Sequence, residues 1–307
     1  MENSLSTTIL TKLHPYWVTG ISDGEGTFII IITRNDKRKS GWRVLPLFAI
    51  ELNKRDLLLL KEIQAFFGVA TVTSRKTRNS AVYRVQSMEE LTRVIIPHFY
   101  KYPLITQKKA DFILFKSIMD SLNRKEQSTV EGLQSIVNIR ASLNLGLSTL
   151  LKKAFPNTIA VSRPQMNFLT IPHPWWLTGF VDGEGCFHVR LKKKTAYTSG
   201  YQTSLSFSIS QHSRDELLLS KFITYLDCGV IEKVSTRPDG AVFIVYKFSN
   251  ISNHIIPFFD KYPLQGTKLL DYKDFCNIVS WMEKKYYTVE GLNNIRLIKD
   301  GMNSGRV

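Results

Sequence analysis

PYWVTGISDGEGTF (residues 15–28) returns as PWWLTGFVDGEGCF (residues 174–187), an offset of 159 residues (15 to 174). Other blocks repeat in the same order. Arg55-Asp56-Leu57 answers Arg214-Asp215-Glu216, IIPHFYKYPL (95–104) answers IIPFFDKYPL (255–264), and TVEGL (129–133) recurs at 288–292. Four blocks at a nearly constant offset exclude coincidence, so the chain is a duplicated unit. The expected layout is a first repeat over 1–141, a linker over 142–171 and a second repeat over 172–307. The linker contains Pro156 and Pro164, with Pro172 directly after it, and little periodicity after Phe155, so its second part reads as an extended surface segment.

Within each repeat the pattern reads αββαββα. Pro15 and Pro174 stand where helices begin, because the first helical position tolerates a missing N–H. Thr27–Arg34 and Cys186–Lys192 follow as strands; Asp56–Phe67 and Asp215–Tyr225 read as amphipathic helices. Cys186, His188, Arg190 and Lys192 alternate with Phe187, Val189 and Leu191, giving one cationic and one apolar face. Leu205–Ser210 alternates the same way, and Tyr83–Gln86 more weakly. The class is α+β: two antiparallel sheets, each with helices on one face and a polar, cation-bearing face left uncovered.

Charge narrows the partner. The 307 residues carry 41 Lys+Arg against 26 Asp+Glu, a net charge of +15. Such a field favours a polyanion. Apolar runs such as Phe28–Ile32 fall far short of the ~20 residues a membrane-spanning helix needs, so no membrane partner is expected. Cys186, Cys228 and Cys276 are odd in number and widely spaced, which speaks against disulfides or a zinc site. The opening MENSLSTTIL lacks an Arg-rich amphipathic pattern, so no import signal is expected there.

The chemistry concentrates in the repeated GxxDGEG segments. Gly20 and Gly24, like Gly179 and Gly183, are four apart and share a helix face. A helix-interior glycine costs about 1 kcal/mol, and close approach of two backbones explains why two are kept in each repeat. Helices 15–25 and 174–184 should therefore pack together, with Gly20 facing Gly179. Glu25 and Glu184 would then lie side by side at the negative ends of two helix dipoles. That arrangement calls for a cation, and a hard divalent ion takes carboxylate, carbonyl and water oxygens. The ligand set expected is Glu25 and Glu184 with the backbone of Gly24 and Gly183. Metals held between such carboxylates can activate water against a phosphodiester.

Val18–Gly26 and Leu177–Gly185 resemble the nonapeptide of the LAGLIDADG homing endonucleases in its G-E-G ending. The resemblance runs from about residue 14 to 298, and the Lys-Tyr-Pro-Leu blocks after each motif strengthen it. It implies a monomer whose pseudo-symmetric sheets form a saddle on the major groove of double-stranded DNA. The target would be long and partly palindromic, and both strands would be cut. It implies Glu25 and Glu184 as metal ligands, with Mg²⁺ the ion and Mn²⁺ or Ca²⁺ substituting for binding. Asp23 and Asp182 become structural hydrogen-bonding residues, while Lys108 and Lys268 become the basic residues of the two active centres. Gln211 would position water; its counterpart, Leu52, cannot, so that part of the site is asymmetric. Arg43, Arg75, Arg84, His188, Arg190 and Lys192 are expected to face DNA; Trp17, Trp175 and Trp176 are expected to pack helices. The family resemblance further implies an intron-encoded, mitochondrial protein. Two rivals on the same scaffold are an intron maturase binding intron RNA and a catalytically inactive DNA-binding protein. Intact Glu25 and Glu184 favour cleavage over both.

Overall fold

The structure, a computed structural model, describes residues 13–75, 78–166, 170–195, 200–233, 237–284 and 288–306. The opening decapeptide and part of the linker (167–169) lie outside them.

The first half runs α1 (Pro15–Glu25), β1 (Gly26–Arg34), β2 (Trp42–Asn53), α2 (Leu57–Phe67), β3 (Thr71–Arg75) and β4 (Ser80–Val85). A short helix α3 (Met88–Glu90), a π turn (Leu91–Ile95) and α4 (Ile96–Lys101) follow, then α5 (Lys108–Asn123) and α6 (Val130–Ala141). After α7 (Thr149–Ala154) the second half repeats the order: α8 (Pro174–Glu184), β5 (Gly185–Lys193), β6 (Tyr201–His212), α9 (Glu216–Leu226), β7 (Val230–Lys233), β8 (Gly240–Val245), α10 (Phe248–Asn250), α11 (Ile256–Lys261), α12 (Lys268–Glu283) and α13 (Val289–Asp300). Each half holds a four-stranded antiparallel sheet, in the orders β1-β2-β4-β3 and β5-β6-β8-β7. The α+β fold of two repeats read from the sequence is the fold found.

Local chemistry sets the motif helices. His14 and His173 cap them, their ring nitrogens accepting from Tyr16 N and Trp175 N, and Pro15 and Pro174 take the first helical position. Gly26 and Gly185 are extended at the other end, so each helix passes straight into its strand. Helices cover one face of each sheet and enclose a core of their own. Phe28, Phe48, Tyr83, Phe99 and Phe115 build the first; Phe187, Phe207, Phe222, Phe243 and Phe275 build the second. Tyr16 packs against the core of the other half, and so does Trp175.

Helices α1 and α8 form the seam. A Cβ on Gly20 would lie 2.0 Å from the carbonyl oxygen of Trp176, and one on Gly179 would lie 2.1 Å from that of Trp17. The close approach expected of these glycines is present: Gly20 presses on the backbone of Trp176 and on N of Phe180, Gly179 on the backbone of Trp17 and on N of Ile21. Gly24 and Gly183 also meet along the seam, where a Cβ on the first would lie 3.7 Å from Cα of the second.

The uncovered faces of the two sheets differ, and the first is not the polar, cation-bearing face expected from sequence. On the second sheet His188, Arg190 and Lys192 point outward beside Ser204 and Ser206, a polar, cationic face as expected. On the first sheet the register places Ile29 beside Leu47 and Ile31 beside Leu45, with Val82 next to Glu51. The centre of that face is apolar, and Arg43, Arg75 and Arg84 lie around it. The alternation of β1 is hidden in sequence because Phe28, Ile30 and Ile32 on the core side are as apolar as Ile29 and Ile31 opposite.

Between the halves, the segment after Phe155 has no regular element among its described residues and is tied to the first half. Arg163 forms a two-pronged ion pair with Asp111, 2.7 and 2.9 Å, and Ile159 N donates to Asn138.

Candidate active site at the ends of the paired helices

Glu25 and Glu184 are the last residues of α1 and α8, so the seam delivers both carboxylates to one place. Each side chain crosses to the other helix: Cγ of Glu25 lies 3.1 Å from where a Cβ on Gly183 would stand, and Cγ of Glu184 lies 3.2 Å from that of Gly24. Burial drives both carboxyls upward, and the Glu25 charge pushes further on Glu184, which rises to about 7. Gln211, at the end of β6, opposes this with a hydrogen bond to Glu184.

Two lysines complete the cluster. Lys108 opens α5 and Lys268 opens α12, the same position in each repeat. Lys108 Nζ donates to the Gly24 carbonyl at 2.8 Å; Lys268 Nζ donates to Gly183 O at 3.3 Å and also to Gly185 O. Burial lowers the pKa of both amines, while Glu25 and Glu184 act the other way. Lys109, the neighbour of Lys108, makes none of these contacts. The glycine carbonyls are thus engaged by lysine, and each retains a second lone pair.

Asp23 and Asp182, two residues before the glutamates, serve as hubs. Asp23 accepts from Ile105 N (3.0 Å), Thr106 N (3.2 Å), Thr106 Oγ1 (2.6 Å) and Trp176 Nε1 (2.8 Å). Asp182 accepts from Gln265 N (3.0 Å), Gly266 N (3.4 Å) and Trp17 Nε1 (2.8 Å). Each hub therefore joins its motif helix to the loop before its own lysine and to the partner helix. Trp17 and Trp176 are fully buried, as helix-packing residues should be, and they also cross-link the seam.

The two halves differ around the carboxylates. Leu52 stands at the register position of Gln211, opposite Ala81 as Gln211 is opposite Ala241, and packs on the core. The first half instead brings Glu51 close enough to Glu25 to raise its pKa further. Glu51 is held by Ser80 Oγ (2.7 Å) and Arg75 (3.2 Å). Its counterpart is Ser210, so no repeat signal marked it. Among the described residues no three His, Cys, Asp or Glu side chains gather at ligand spacing. A cation between Glu25 and Glu184 would take its remaining oxygens from backbone, water or a bound anion. Two desolvated, mutually repelling carboxylates at helix C-termini fit such a hard cation.

Of the other candidate residues, Arg75 reaches the edge of this cluster through Glu51, and the rest lie on the sheets. His188, Arg190, Lys192 and Arg43 are exposed, whereas Arg75 and Arg84 are half-buried. Lys37, Arg38 and Lys39, exposed at the β1–β2 turn, extend this basic set; their charge run was legible but unassigned. Asp56 and Asp215 were also missed, although their repeated Arg-Asp pairs were visible.

Comparison with known proteins gives a consistent family. The family model described as LAGLIDADG endonuclease matches residues 18–119 and 177–279. Two relatives from Neurospora crassa, "Probable intron-encoded endonuclease 3" and "Probable intron-encoded endonuclease 2", are 42% and 37% identical, each over 94% of this chain. The chain spans 54% and 65% of their lengths. Among solved structures, the I-SmaMI LAGLIDADG homing endonuclease bound to cleaved DNA is 43% identical, with a TM-score of 0.94 over 96% of this chain and 99% of that one. The same enzyme, bound to uncleaved target in the presence of calcium ions, superposes with a TM-score of 0.92 over 95% and 99%.

Proposed function

Because the chain belongs to the LAGLIDADG endonuclease family, we propose that it is a monomeric, site-specific endonuclease that hydrolyses both strands of a long DNA target with divalent metal ions, Mg²⁺ foremost. The observation that carries this reading is the convergence of Glu25 and Glu184 at the ends of one helix pair, each beside a buried lysine.

When bound, the metal would lower the pKa of a water and stabilise charge on the phosphate oxygens. The chain's own residues do the rest. Glu25 and Glu184 bind the cation in their ionised forms. Lys108 and Lys268, which sit beside the carboxylates and donate to the glycine carbonyls, supply positive charge toward the phosphate. Gln211 orients Glu184 and leaves its remaining amide capacity for a water; Leu52 offers nothing comparable, so the two half-sites are chemically unequal. Arg43, Arg75, Arg84, His188, Arg190 and Lys192 take phosphate and base contacts along the sheets. Phosphate contacts of this kind make affinity fall steeply with salt. Intron coding in the two relatives supports a mitochondrial origin by analogy. Nothing in the relatives' names speaks for an RNA partner.

Incubation with a randomised duplex library and Mg²⁺, followed by sequencing of the cut ends, tests the reading. One long, partly palindromic site, lost on chelation, is the expected result. Absence of cutting, or cutting without sequence preference, overturns it.

A further inference from the structure

Asp56 and Asp215 occupy the N-cap positions of α2 and α9, where an aspartate ordinarily bonds the first free N–H groups of its own helix. Neither side chain does so. Both turn across the molecule. Asp215 Oδ1 accepts from Gln107 N at 2.9 Å, and Asp56 Oδ1 accepts from Thr267 N at 2.8 Å and Thr267 Oγ1 at 2.9 Å. Gln107 and Thr267 are the N-cap residues of α5 and α12, directly before Lys108 and Lys268. Each aspartate thus caps a helix in the opposite half.

The electrostatics give this exchange a purpose. A lysine at the first position of a helix meets the positive end of the dipole, and both amines are withdrawn from solvent. A carboxylate at the same helix end offsets that cost and fixes the backbone from which the lysine projects. We propose that Asp215 positions Lys108 and Asp56 positions Lys268, so that each half of the chain sets the reactive lysine of the other. The proposal rests on the endonuclease reading for its kinetic consequence, while the placement of the lysines can be followed without any cleavage.

Substitution to serine separates the two possible roles of these residues. Ser at an N-cap still serves its own helix but is too short to reach Gln107 or Thr267; Asn restores the reach. Cleavage of the two strands is followed separately on an end-labelled target, with Lys108→Met and Lys268→Met defining which strand each lysine serves. Asp215→Ser should slow the Lys108 strand, and Asp56→Ser the Lys268 strand, by on the order of tenfold or more, as small misplacements of reacting groups do. Asp215→Asn and Asp56→Asn, which restore the acceptor but not the charge, should recover part of the rate that serine loses. In parallel, lysine reactivity toward reductive methylation is mapped by peptide mass on the free protein. Lys108 should gain reactivity in Asp215→Ser while Lys268 does not, and the converse should hold for Asp56→Ser. Equal slowing of both strands, slowing of the strand served by the lysine of the same half, or methylation that rises for both lysines or neither would overturn the proposal. A parent protein that cuts no DNA would count against the endonuclease reading alone, and the methylation pattern would still decide the positioning.

Discussion

Asp23 accepts the indole N–H of Trp176 at 2.8 Å, a bond from one half of the chain to the other. Trp17 repeats it into Asp182 at 2.8 Å. Both carboxyls are buried, and burial raises their pKa values, that of Asp182 to about 6, so every donor around them matters. Trp176→Phe keeps most of the packing but withdraws one donor from Asp23. It should destabilise the protein by about 1–3 kcal/mol, read as a lower denaturation midpoint. An unchanged midpoint would show that the indole bond does not help hold the seam.

Glycine substitutions should grade by what their new Cβ meets. Gly20→Ala places it 2.0 Å from the Trp176 carbonyl, backbone that cannot move aside without separating the helices. Overpacking there should cost about 1–3 kcal/mol or more and reduce cleavage with it. Gly24→Ala meets backbone only at ordinary contact distance, 3.7 Å from Gly183 Cα, and crowds the Glu184 side chain at 3.2 Å, so its stability loss should be smaller while Glu184 is displaced. Equal melting of the two variants would contradict this packing.

His98 supplies a pH prediction. It is buried, its Nε2 lies 3.2 Å from Thr19 Oγ1, and burial lowers its pKa from 6.5 to about 4. The unfolded chain takes up this proton first, so stability is intact above pH 6.5 and is lost as pH falls towards 4. The counterpart in the second repeat is Phe258, at an offset of 160 (98 to 258). His98→Phe should therefore shrink the stability difference between pH 7 and pH 4 by up to about 3 kcal/mol. Thr19 Oγ1 keeps a partner in Tyr102 O, 3.0 Å away. A variant with undiminished acid sensitivity would place the titrating group elsewhere.

Much of this was legible in sequence because duplication doubles every signal. The paired GxxDGEG segments located the seam, the carboxylates and the helix starts at Pro15 and Pro174. The lysines came from the family resemblance, and the structure brings them to the same cluster. What sequence hid were relations between the halves. The Arg-Asp pairs recur visibly, yet an N-cap aspartate normally serves its own helix, so nothing local told of a crossing to Gln107 or Thr267. Glu51 has no acidic counterpart and left no pattern. The apolar outer face of the first sheet was concealed because Phe28–Ile32 is apolar on both sides of the strand.

That unequal pair of faces bears on recognition. Ile29, Ile31 and Leu45 are half-buried on the outer face of the first sheet, suited to thymine methyl groups in the major groove. Replacing thymine by uracil in one half of the target should weaken binding by up to about 0.8 kcal/mol per methyl lost. The other half, which the proposed DNA face would meet with His188, Arg190 and Lys192, should respond less. Ile29→Ser with Ile31→Ser should abolish the difference, as measured by competition binding. Equal sensitivity of both halves would refute an apolar reading surface.

The most direct test of the central claim is strand-resolved cleavage by Glu25→Gln and Glu184→Gln, with target affinity measured alongside. Each variant keeps the size of the side chain and removes one charged oxygen ligand. Affinity for the target should persist, cutting of both strands should no longer be achieved, and added Mg²⁺ should not restore it. Cleavage of both strands at the parent rate by either variant would contradict a site built from two motif carboxylates.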